Sequence, residues 1–117
     1  MKIEFYANDS GKSSVLDFIR KLDKPDRAKI LSCLESVQDL GLECPRVQFR
    51  QIDGKLWEIK ITTPNGGYRI FYVCMKHDLL ILLHAYKKQG QKAPKKEIEL
   101  ATKRLKEVLA NENDTIK

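Results

Sequence analysis

The sequence has few of the residues that build metal and disulfide sites. It holds three cysteines, an odd number with no Cys-x-x-Cys pair, and only two histidines. A structural zinc site takes several closely spaced cysteine or histidine ligands, so no such site is expected and the cysteines are predicted to be reduced, partly buried thiols. The acidic residues are scattered or lie in helical segments. This pattern disfavours a metal-dependent nuclease, because that chemistry needs clustered carboxylates.

Several catalytic and targeting motifs are also missing. The chain has no glycine-rich phosphate loop, no Gly-x-Ser-x-Gly elbow and no His-Glu-x-x-His helix. Its apolar runs, such as Leu79–Leu83, are far shorter than the ~20 residues that a membrane span needs. The first residues, Met1–Glu4, lack the apolar stretch of a signal peptide. We therefore expect a cytoplasmic protein without a membrane partner.

What the chain does have is the composition of a globular domain with an excess of basic residues. Its 117 residues are 42% hydrophobic and 32% charged, which predicts one domain spanning residues 1–117. Lysine and arginine outnumber the acidic residues by 22 to 16, giving a net charge of +6. A small basic domain favours polyanionic partners, and nucleic acid is the commonest of these.

The hydrophobic periodicity changes twice along the chain and predicts an α+β domain. A short period-two segment comes first, followed by two helical stripes, at about residues 13–22 and from Pro25 to Gly41. Period two then returns, and turn sequences at 53–54, 64–67 and 76–78 divide this part into four antiparallel strands. The last two strands have apolar residues on both faces, which predicts that they lie inside the sheet.

The C-terminal part is predicted to be one more helix. Pro94 suits a first helical turn, and the apolar residues after it keep helical spacing. From about residue 111 to 117 the sequence becomes polar, which predicts a frayed tail. The predicted order is therefore strand, two helices, four strands and a helix.

Basic and aromatic side chains alternate with apolar ones on the predicted strands. Lys60 projects from the face opposite Trp57, and Arg69 stands in an otherwise apolar strand, where a guanidinium needs acceptors. Such a surface can hold phosphates by charge and stack bases on rings, as single-stranded RNA recognition requires. The candidate residues are Arg50, Lys55, Lys60, Arg69, His84, Tyr86, Lys87, Lys88 and Lys92.

Each of these residues also has a structural interpretation. Lys60 can be a solvated strand residue, and Arg69 can form a salt bridge with Glu58. His84, within an apolar strand, can be a core histidine with its hydrogen bonds satisfied, and the lysines from Lys87 onward can belong to a solvated loop. The residues alone leave both interpretations open.

Three stretches carry a resemblance to a known family: Leu56–Ile61, Gly67–Tyr72 and Leu83–Pro94, which read LWEIKI, GYRIFY and LHAYKKQGQKAP. The most specific feature is a Tyr-Arg-x-Phe-Tyr strand followed by a lysine-rich turn before a helix that starts at proline. In this order and at this length, the chain resembles the phage-derived Gp49-like branch of the RelE/HigB toxins of type II toxin–antitoxin systems. The resemblance covers most of the chain.

The resemblance implies a fold, an activity and partners. The fold would be RelE-like: a twisted, mostly antiparallel sheet with two N-terminal helices on one side, an open basic face on the other, and a C-terminal helix. The activity would be ribosome-dependent cleavage of mRNA without metal or cofactor, through attack of the RNA 2′-hydroxyl on the adjacent phosphate. The partners would be mRNA on the ribosome and a HigA-like helix-turn-helix antitoxin in a hetero-oligomer.

The resemblance also implies roles for individual residues. Arg69 would stabilise the developing phosphate charge, and Lys60 would assist it or help to activate the 2′-hydroxyl. Glu58 replaces a lysine of better-known relatives, so it would act as a general base or only pair with Arg69. Because no tyrosine follows Tyr86, that residue and His84 are the candidates for proton transfer.

Five further basic residues are predicted to contact RNA phosphates: Arg50, Lys55, Lys87, Lys88 and Lys92.

Two rival functions fit the same sequence. One is a basic RNA- or ribosome-binding module that blocks translation without cutting. The other is a phage-related interaction protein that uses a toxin fold.

Overall fold

The computed structural model of the chain describes residues 1–90 and 92–116, with side chains through residue 111. Gln91, which is part of the predicted basic loop, and Lys117 lie outside the described residues. The elements in chain order are β1 (Lys2–Phe5), α1 (Ser14–Arg20), α2 (Lys24–Leu40), a 3₁₀ turn (Gly41–Glu43), β2 (Gln48–Asp53), β3 (Leu56–Thr63), β4 (Gly66–Met75), β5 (Leu79–Lys87) and α3 (Lys95–Ile116).

The predicted α+β class and element order are confirmed, and local signals explain most boundaries. Ser13 caps α1 by accepting a hydrogen bond from the Leu16 amide at 3.3 Å. Pro25 lies in the first turn of α2, where its missing N–H costs nothing. Gly41 ends α2 with φ near 70°, a backbone conformation that favours glycine. The helix α3 is assigned through Ile116, and the frayed tail at 111–117 stays a prediction.

The sheet has five strands in the order β1-β5-β4-β3-β2. The hairpins β2–β3, β3–β4 and β4–β5 are antiparallel, as their short turns predict. The N-terminal strand instead adds beside β5 in parallel orientation, with Lys2 opposite Leu79. This arrangement makes β4 and β5 interior strands, which explains why both are apolar on both faces.

One face of the sheet is closed by α1 and α2. The buried side chains on this face are hydrophobic and come from α1, α2, β3, β4, β5 and the segment before β2, whereas β1 and β2 add the partly buried Ile3, Phe5 and Phe49. The members from the helices and central strands include Val15, Ile19, Ile30, Leu34, Val37, Ile59, Ile61, Tyr68, Ile70, Tyr72, Leu80 and Leu82. The period-two pattern of β3 and β4 therefore sends every second residue into this core.

The opposite face differs from the expectation of an open basic surface, because α3 lies across part of it. Ala101 and Leu105 of α3 are buried with Phe71, Val73 and Leu83 of the sheet. The apolar stripe of α3 needs an apolar partner, and the second face of β4 and β5 supplies one. Beside this apolar contact, the same face carries polar side chains of β2, β3, β4 and β5.

Two further findings concern sequence expectations. All three cysteines are free, with Cys33 and Cys44 buried and Cys74 exposed. Among the described residues, no helix combines the length and apolar character needed to cross a bilayer.

Candidate functional site

The register of the sheet brings polar residues from three strands, together with Phe71 of β4, into one row on the α3 face. Arg50 of β2 lies opposite Glu58 of β3, and Glu58 lies opposite Phe71 of β4. Phe71 in turn lies opposite His84 of β5. Residues directly opposite each other on neighbouring strands hold their side chains side by side. Residues far apart in sequence therefore meet because of the strand pairing alone.

A second row runs beside the first one. Lys60 of β3 lies opposite Arg69 of β4, and Arg69 lies opposite Tyr86 of β5. Because side chains two residues apart on a strand share a face, Lys60 stands next to Glu58 and Tyr86 next to His84. The two rows together form a polar field that contains all five residues predicted to act in catalysis.

A buried carboxylate, that of Glu58, occupies the centre of this field. Its side chain is 0% exposed, and its Oε1 accepts a hydrogen bond from Arg50 Nη2 at 3.0 Å. The same oxygen is 3.7 Å from Arg69 Nε, and Oε2 accepts a hydrogen bond from the Tyr86 hydroxyl at 3.2 Å. A carboxylate can be buried only when such partners replace water. Glu58 therefore fixes the positions of two arginines and one tyrosine.

The Arg69 side chain is held from two sides. It is 10% exposed, and its Nη1 donates a hydrogen bond to the Tyr68 carbonyl at 3.1 Å. A Cβ atom at Gly67 would lie 3.3 Å from Nη1, so a glycine at this position leaves room for the guanidinium. Arg69 is thus placed before any ligand arrives, which lowers the entropic cost of binding one.

These rows border a pocket at the edge of α3. Its lining has five basic side chains and one tyrosine, with Glu58 buried beneath them. The lining residues are Arg50, Lys60, Arg69, Tyr86, Lys88, Gly90, Lys92 and Ala93. Guanidinium and ammonium groups converging on one space form a binding site for an anion with several oxygens, such as a phosphodiester.

The pocket changes the proton affinity of two of its residues in opposite directions. Burial and the nearby cations Arg50 and Arg69 lower the pKa of Lys60. Burial and the neighbouring Glu58 carboxylate raise the pKa of Tyr86. Lys60 is therefore neutral more often than an ordinary lysine, and Tyr86 keeps its proton at physiological pH.

A comparison with protein families identifies what this pocket belongs to. The family described as phage-derived protein Gp49-like (DUF891) matches residues 17–106, a range that contains the whole polar field. The chain belongs to the Gp49-like family. This family is associated with toxin–antitoxin systems. A comparison with curated proteins gave no match.

The candidates for proton transfer in this Gp49-like chain have different surroundings. Tyr86 lines the pocket, whereas His84 is outside the lining given by the described residues. The His84 ring contacts the Glu97 carboxylate through Nε2, and its Nδ1 is 3.4 Å from Arg104 Nη1. His84 is thus a partner of α3, in agreement with the interpretation as a satisfied histidine.

The residues predicted to bind RNA separate into two groups. Arg50, Lys88 and Lys92 line the pocket. Lys87 points to the opposite face, where its Nζ lies 5.9 Å from the Tyr68 ring centroid. Lys55 is exposed in the turn between β2 and β3, outside the lining given by the described residues. The structure therefore brings three of these five residues together.

Sequence reasoning missed two charged residues of the Gp49-like site, Glu97 and Arg104. Both belong to α3, and both contact His84 on the neighbouring sheet. The two residues are seven positions apart, which is about two helical turns, so their spacing indicates that they share a helix face. Nothing in the sequence indicates that this face meets His84.

The charged groups of the site suit an anion better than a cation. Among the described residues, no group of three or more histidine, cysteine or acidic side chains is placed to hold a metal ion. The pocket lining instead offers ammonium, guanidinium and phenol groups, which donate hydrogen bonds. Oxygen-rich anions are the ligands that such donors select.

Proposed function

We propose that this chain is the toxin of a type II toxin–antitoxin system of the RelE/HigB type. It would be a ribosome-dependent mRNA endonuclease, or mRNA interferase, that stops translation in the cytoplasm. A HigA-like helix-turn-helix antitoxin would neutralise it in a hetero-oligomer. The observation that carries the proposal is the pocket of five basic side chains built over the buried Glu58 carboxylate.

In the proposed complex, the scissile phosphate of the mRNA occupies the pocket. Arg69 lies at the pocket wall and can present its planar fork to two phosphate oxygens. Arg50, Lys88 and Lys92 neutralise the charge of the same or the adjacent phosphates. Lys55 and Lys87 lie outside the pocket and keep only a role in contacts with flanking RNA.

The proposed reaction needs neither a metal nor a cofactor. The 2′-hydroxyl oxygen attacks the adjacent phosphorus, and Lys60, whose pKa is lowered, accepts the hydroxyl proton. Arg69 stabilises the phosphorane that forms. The bond from phosphorus to the 5′-oxygen then breaks, and Tyr86 donates a proton to that oxygen. The products are a 2′,3′-cyclic phosphate and a free 5′-hydroxyl.

Of the two roles predicted for Glu58, burial favours the structural one. A general base must reach the proton that it removes, and the Glu58 side chain is 0% exposed with both oxygens already engaged. We therefore assign Glu58 the positioning of Arg50, Arg69 and Tyr86. His84 is assigned no proton transfer, because its ring faces α3.

The proposal can be tested by mapping mRNA ends in a reconstituted translation extract. The toxin is stripped of metals with EDTA and freed of the chelator before use. We expect the wild type to cut translated mRNA, and Arg69→Ala to cut it at least ~100-fold more slowly, as for other losses of a transition-state donor. Arg69→Lys keeps the charge but loses the fork, and Lys29→Ala removes an exposed cation of α2 as a control.

Each outcome distinguishes between functions. Cuts that vanish in Arg69→Ala but persist in Lys29→Ala support the endonuclease. Stopped translation with intact mRNA would favour the module that binds without cutting. If folded wild-type protein neither cuts mRNA nor slows translation, the toxin assignment is wrong.

A further inference from the structure

The wall of the pocket that carries Lys92 is built from a loop whose described residues contact the sheet and the first turn of α3. This loop connects β5 to α3 and contributes Lys88, Gly90, Lys92 and Ala93 to the pocket. At its start, the Lys88 amide donates a hydrogen bond to the Gly67 carbonyl at 2.8 Å. Near its end, the Ile98 amide donates to the Pro94 carbonyl at 3.2 Å, which fixes the loop to the first turn of α3. The position of the wall therefore depends on where α3 begins.

A polar contact between α3 and the sheet fixes that starting point. Glu97, in the first turn of α3, contacts His84 Nε2 through its carboxylate. His84 lies where the pairing of β5 shifts, since Phe71 pairs with His84 and Tyr72 pairs with Leu82. Such a bulge redirects side chains at the edge of an active site. Here it directs the imidazole towards the beginning of α3.

The imidazole is one of three neighbouring, nearly parallel rings, with Phe71 and Tyr86 as the other two. Its plane lies within 8° of the Phe71 ring at a centroid distance of 6.4 Å, and within 18° of the Tyr86 ring at 6.4 Å. The same Tyr86 donates its hydroxyl hydrogen bond to Glu58. The chain of contacts thus leads from the pocket floor at Glu58 through Tyr86 and His84 to Glu97.

The partners of His84 also determine its tautomer. A carboxylate at Nε2 can only accept a hydrogen bond, whereas the Arg104 guanidinium near Nδ1 can only donate one. The contacts are satisfied when Nε2 donates to Glu97 and Nδ1 accepts from Arg104. Arg104 Nη1 is fixed in turn by the Leu83 carbonyl and the Ser14 hydroxyl, each at 2.8 Å. Both ring nitrogens therefore hold α3 against the sheet.

From these contacts we infer that Glu97 is a positioning residue for the pocket: through His84 it holds the start of α3, and with it Lys92, in place to bind RNA. This inference rests on the proposed function. The apolar packing of Ala101 and Leu105 lies further along α3 and keeps the helix docked without Glu97. Loss of the contact should therefore loosen the loop without unfolding the protein.

Electrostatics and positioning predict opposite signs for the variant Glu97→Ala. Removing a negative charge near a basic pocket should tighten RNA binding by long-range attraction. If Glu97 positions Lys92, the same change should weaken binding. Glu99→Ala is the matched control, because it removes the same charge from an exposed residue of α3 whose ion pair with Lys95 is 3.9 Å long.

Two measurements on the full-length protein test the inference. The first is hydrogen exchange of the Ile98 amide, corrected for intrinsic rates. We expect it to rise about tenfold in Glu97→Ala, the change for losing one charge-assisted hydrogen bond. Glu97→Gln keeps an oxygen that accepts from His84, so it should exchange within about threefold of the wild type, whereas Glu99→Ala should leave exchange unchanged.

The second measurement is the affinity for a single-stranded 2′-O-methyl RNA, which lacks the attacking hydroxyl. Glu97→Ala should bind about tenfold more weakly than Glu99→Ala, and the slope of log affinity against log salt should fall by about 0.7, the value for one phosphate contact. Glu97→Ala combined with Lys92→Ala should bind no more weakly than Lys92→Ala alone, because both act through Lys92.

The two measurements separate failure of this inference from failure of the proposed function. Unchanged exchange at Ile98 in Glu97→Ala would overturn the inference, and so would RNA binding as tight as that of Glu99→Ala. If the wild type binds no RNA, the proposed function fails. In that case the exchange data alone decide whether Glu97 holds the wall of the pocket.

Discussion

The two faces of the sheet are built from the same strands but have different roles. On the face under α1 and α2, Ile59, Ile61 and Ile70 are each 1% exposed or less and belong to the hydrophobic core. On the face under α3, the residues next to them on β3 and β4 include Glu58, Lys60 and Arg69. A single alternating sequence therefore produces a closed core on one side and a charged pocket on the other.

The difference teaches that burial alone does not identify a core position. Glu58 and Ile59 are adjacent on β3, and both are 0% exposed. Burial of Ile59 is favourable because it removes apolar surface from water, whereas burial of Glu58 depends on charged and polar partners that include Arg50, Arg69 and Tyr86. Ile59 therefore contributes to stability alone, whereas the contacts that stabilise Glu58 also hold the functional groups in place. The predictions below compare the faces in order of their effect on stability.

The largest effect is expected on the closed face, for Ile59→Ala. Truncating a fully buried isoleucine should lower the free energy of unfolding by about 3 kcal/mol, through lost burial and the cavity left behind. Cleavage of mRNA per folded molecule should not change. Urea unfolding, with primer extension at low urea, measures both quantities.

Ile59→Val serves as the graded control and should cost about 1 kcal/mol. A large loss of cleavage by folded Ile59→Ala would contradict the comparison, because it would show that the closed face controls the pocket.

A smaller loss of stability is expected for its neighbour on the other face, in Glu58→Gln. The amide keeps the shape but loses the charge-assisted hydrogen bond from Arg50 and the ion pair with Arg69, so unfolding should become easier by about 2 kcal/mol. Cleavage by the folded variant should fall at least about tenfold, because both arginines lose their common partner. Urea unfolding and primer extension again give the two values.

An exposed carboxylate provides the control for Glu58→Gln. Glu43→Gln removes the same charge from the 3₁₀ turn and should change stability by no more than about 0.5 kcal/mol. If Glu58→Gln cut mRNA as fast as the wild type, Glu58 would have no part in positioning the arginines.

Much of the fold could be predicted because its signals are local. The Asp53-Gly54 sequence predicted the β2–β3 hairpin, whose two turn residues are Gly54 and Lys55, and Gly41 ends α2 as its position predicts. Alternation on β3 also predicted that Lys60 and Trp57 face opposite sides, and the ion pair of Arg69 with Glu58 was one of the two alternatives. These predictions needed only strand periodicity and the pairing of neighbouring strands.

The rest depends on contacts between elements that are distant in sequence. The parallel addition of β1 beside β5 and the docking of α3 on the second face have no local signal. The bulge at His84 has none either, and it decides that this ring meets Glu97. The orientation of Lys87 was predictable, since the residue after an inward-facing Tyr86 must face the other way.

The smallest effect at neutral pH is expected for Tyr86→Phe, which removes one hydrogen bond to Glu58 and should cost about 1 kcal/mol. The more informative measurement is stability at alkaline pH. Burial raises the pKa of Tyr86 above its ordinary value of 10.0, and it does the same for Tyr72 on the closed face. The unfolded chain therefore loses these protons first, and stability falls as pH rises above about 10.

Above pH 10.0, the ordinary pKa of tyrosine, and below the raised pKa of the folded protein, each of these two tyrosines contributes to this fall. One proton corresponds to about 1.4 kcal/mol per pH unit, so Tyr86→Phe and Tyr72→Phe should each reduce the slope by that amount. Only Tyr86→Phe should also slow mRNA cleavage, because only Tyr86 of this pair faces the pocket. If the two variants reduce the slope equally but only Tyr86→Phe slows cleavage, burial raises the pKa of a tyrosine in the same way on both faces. The faces then differ in what the buried tyrosine contacts. If Tyr86→Phe and Tyr72→Phe cleave mRNA at the same rate, Tyr86 has no part in the proposed reaction.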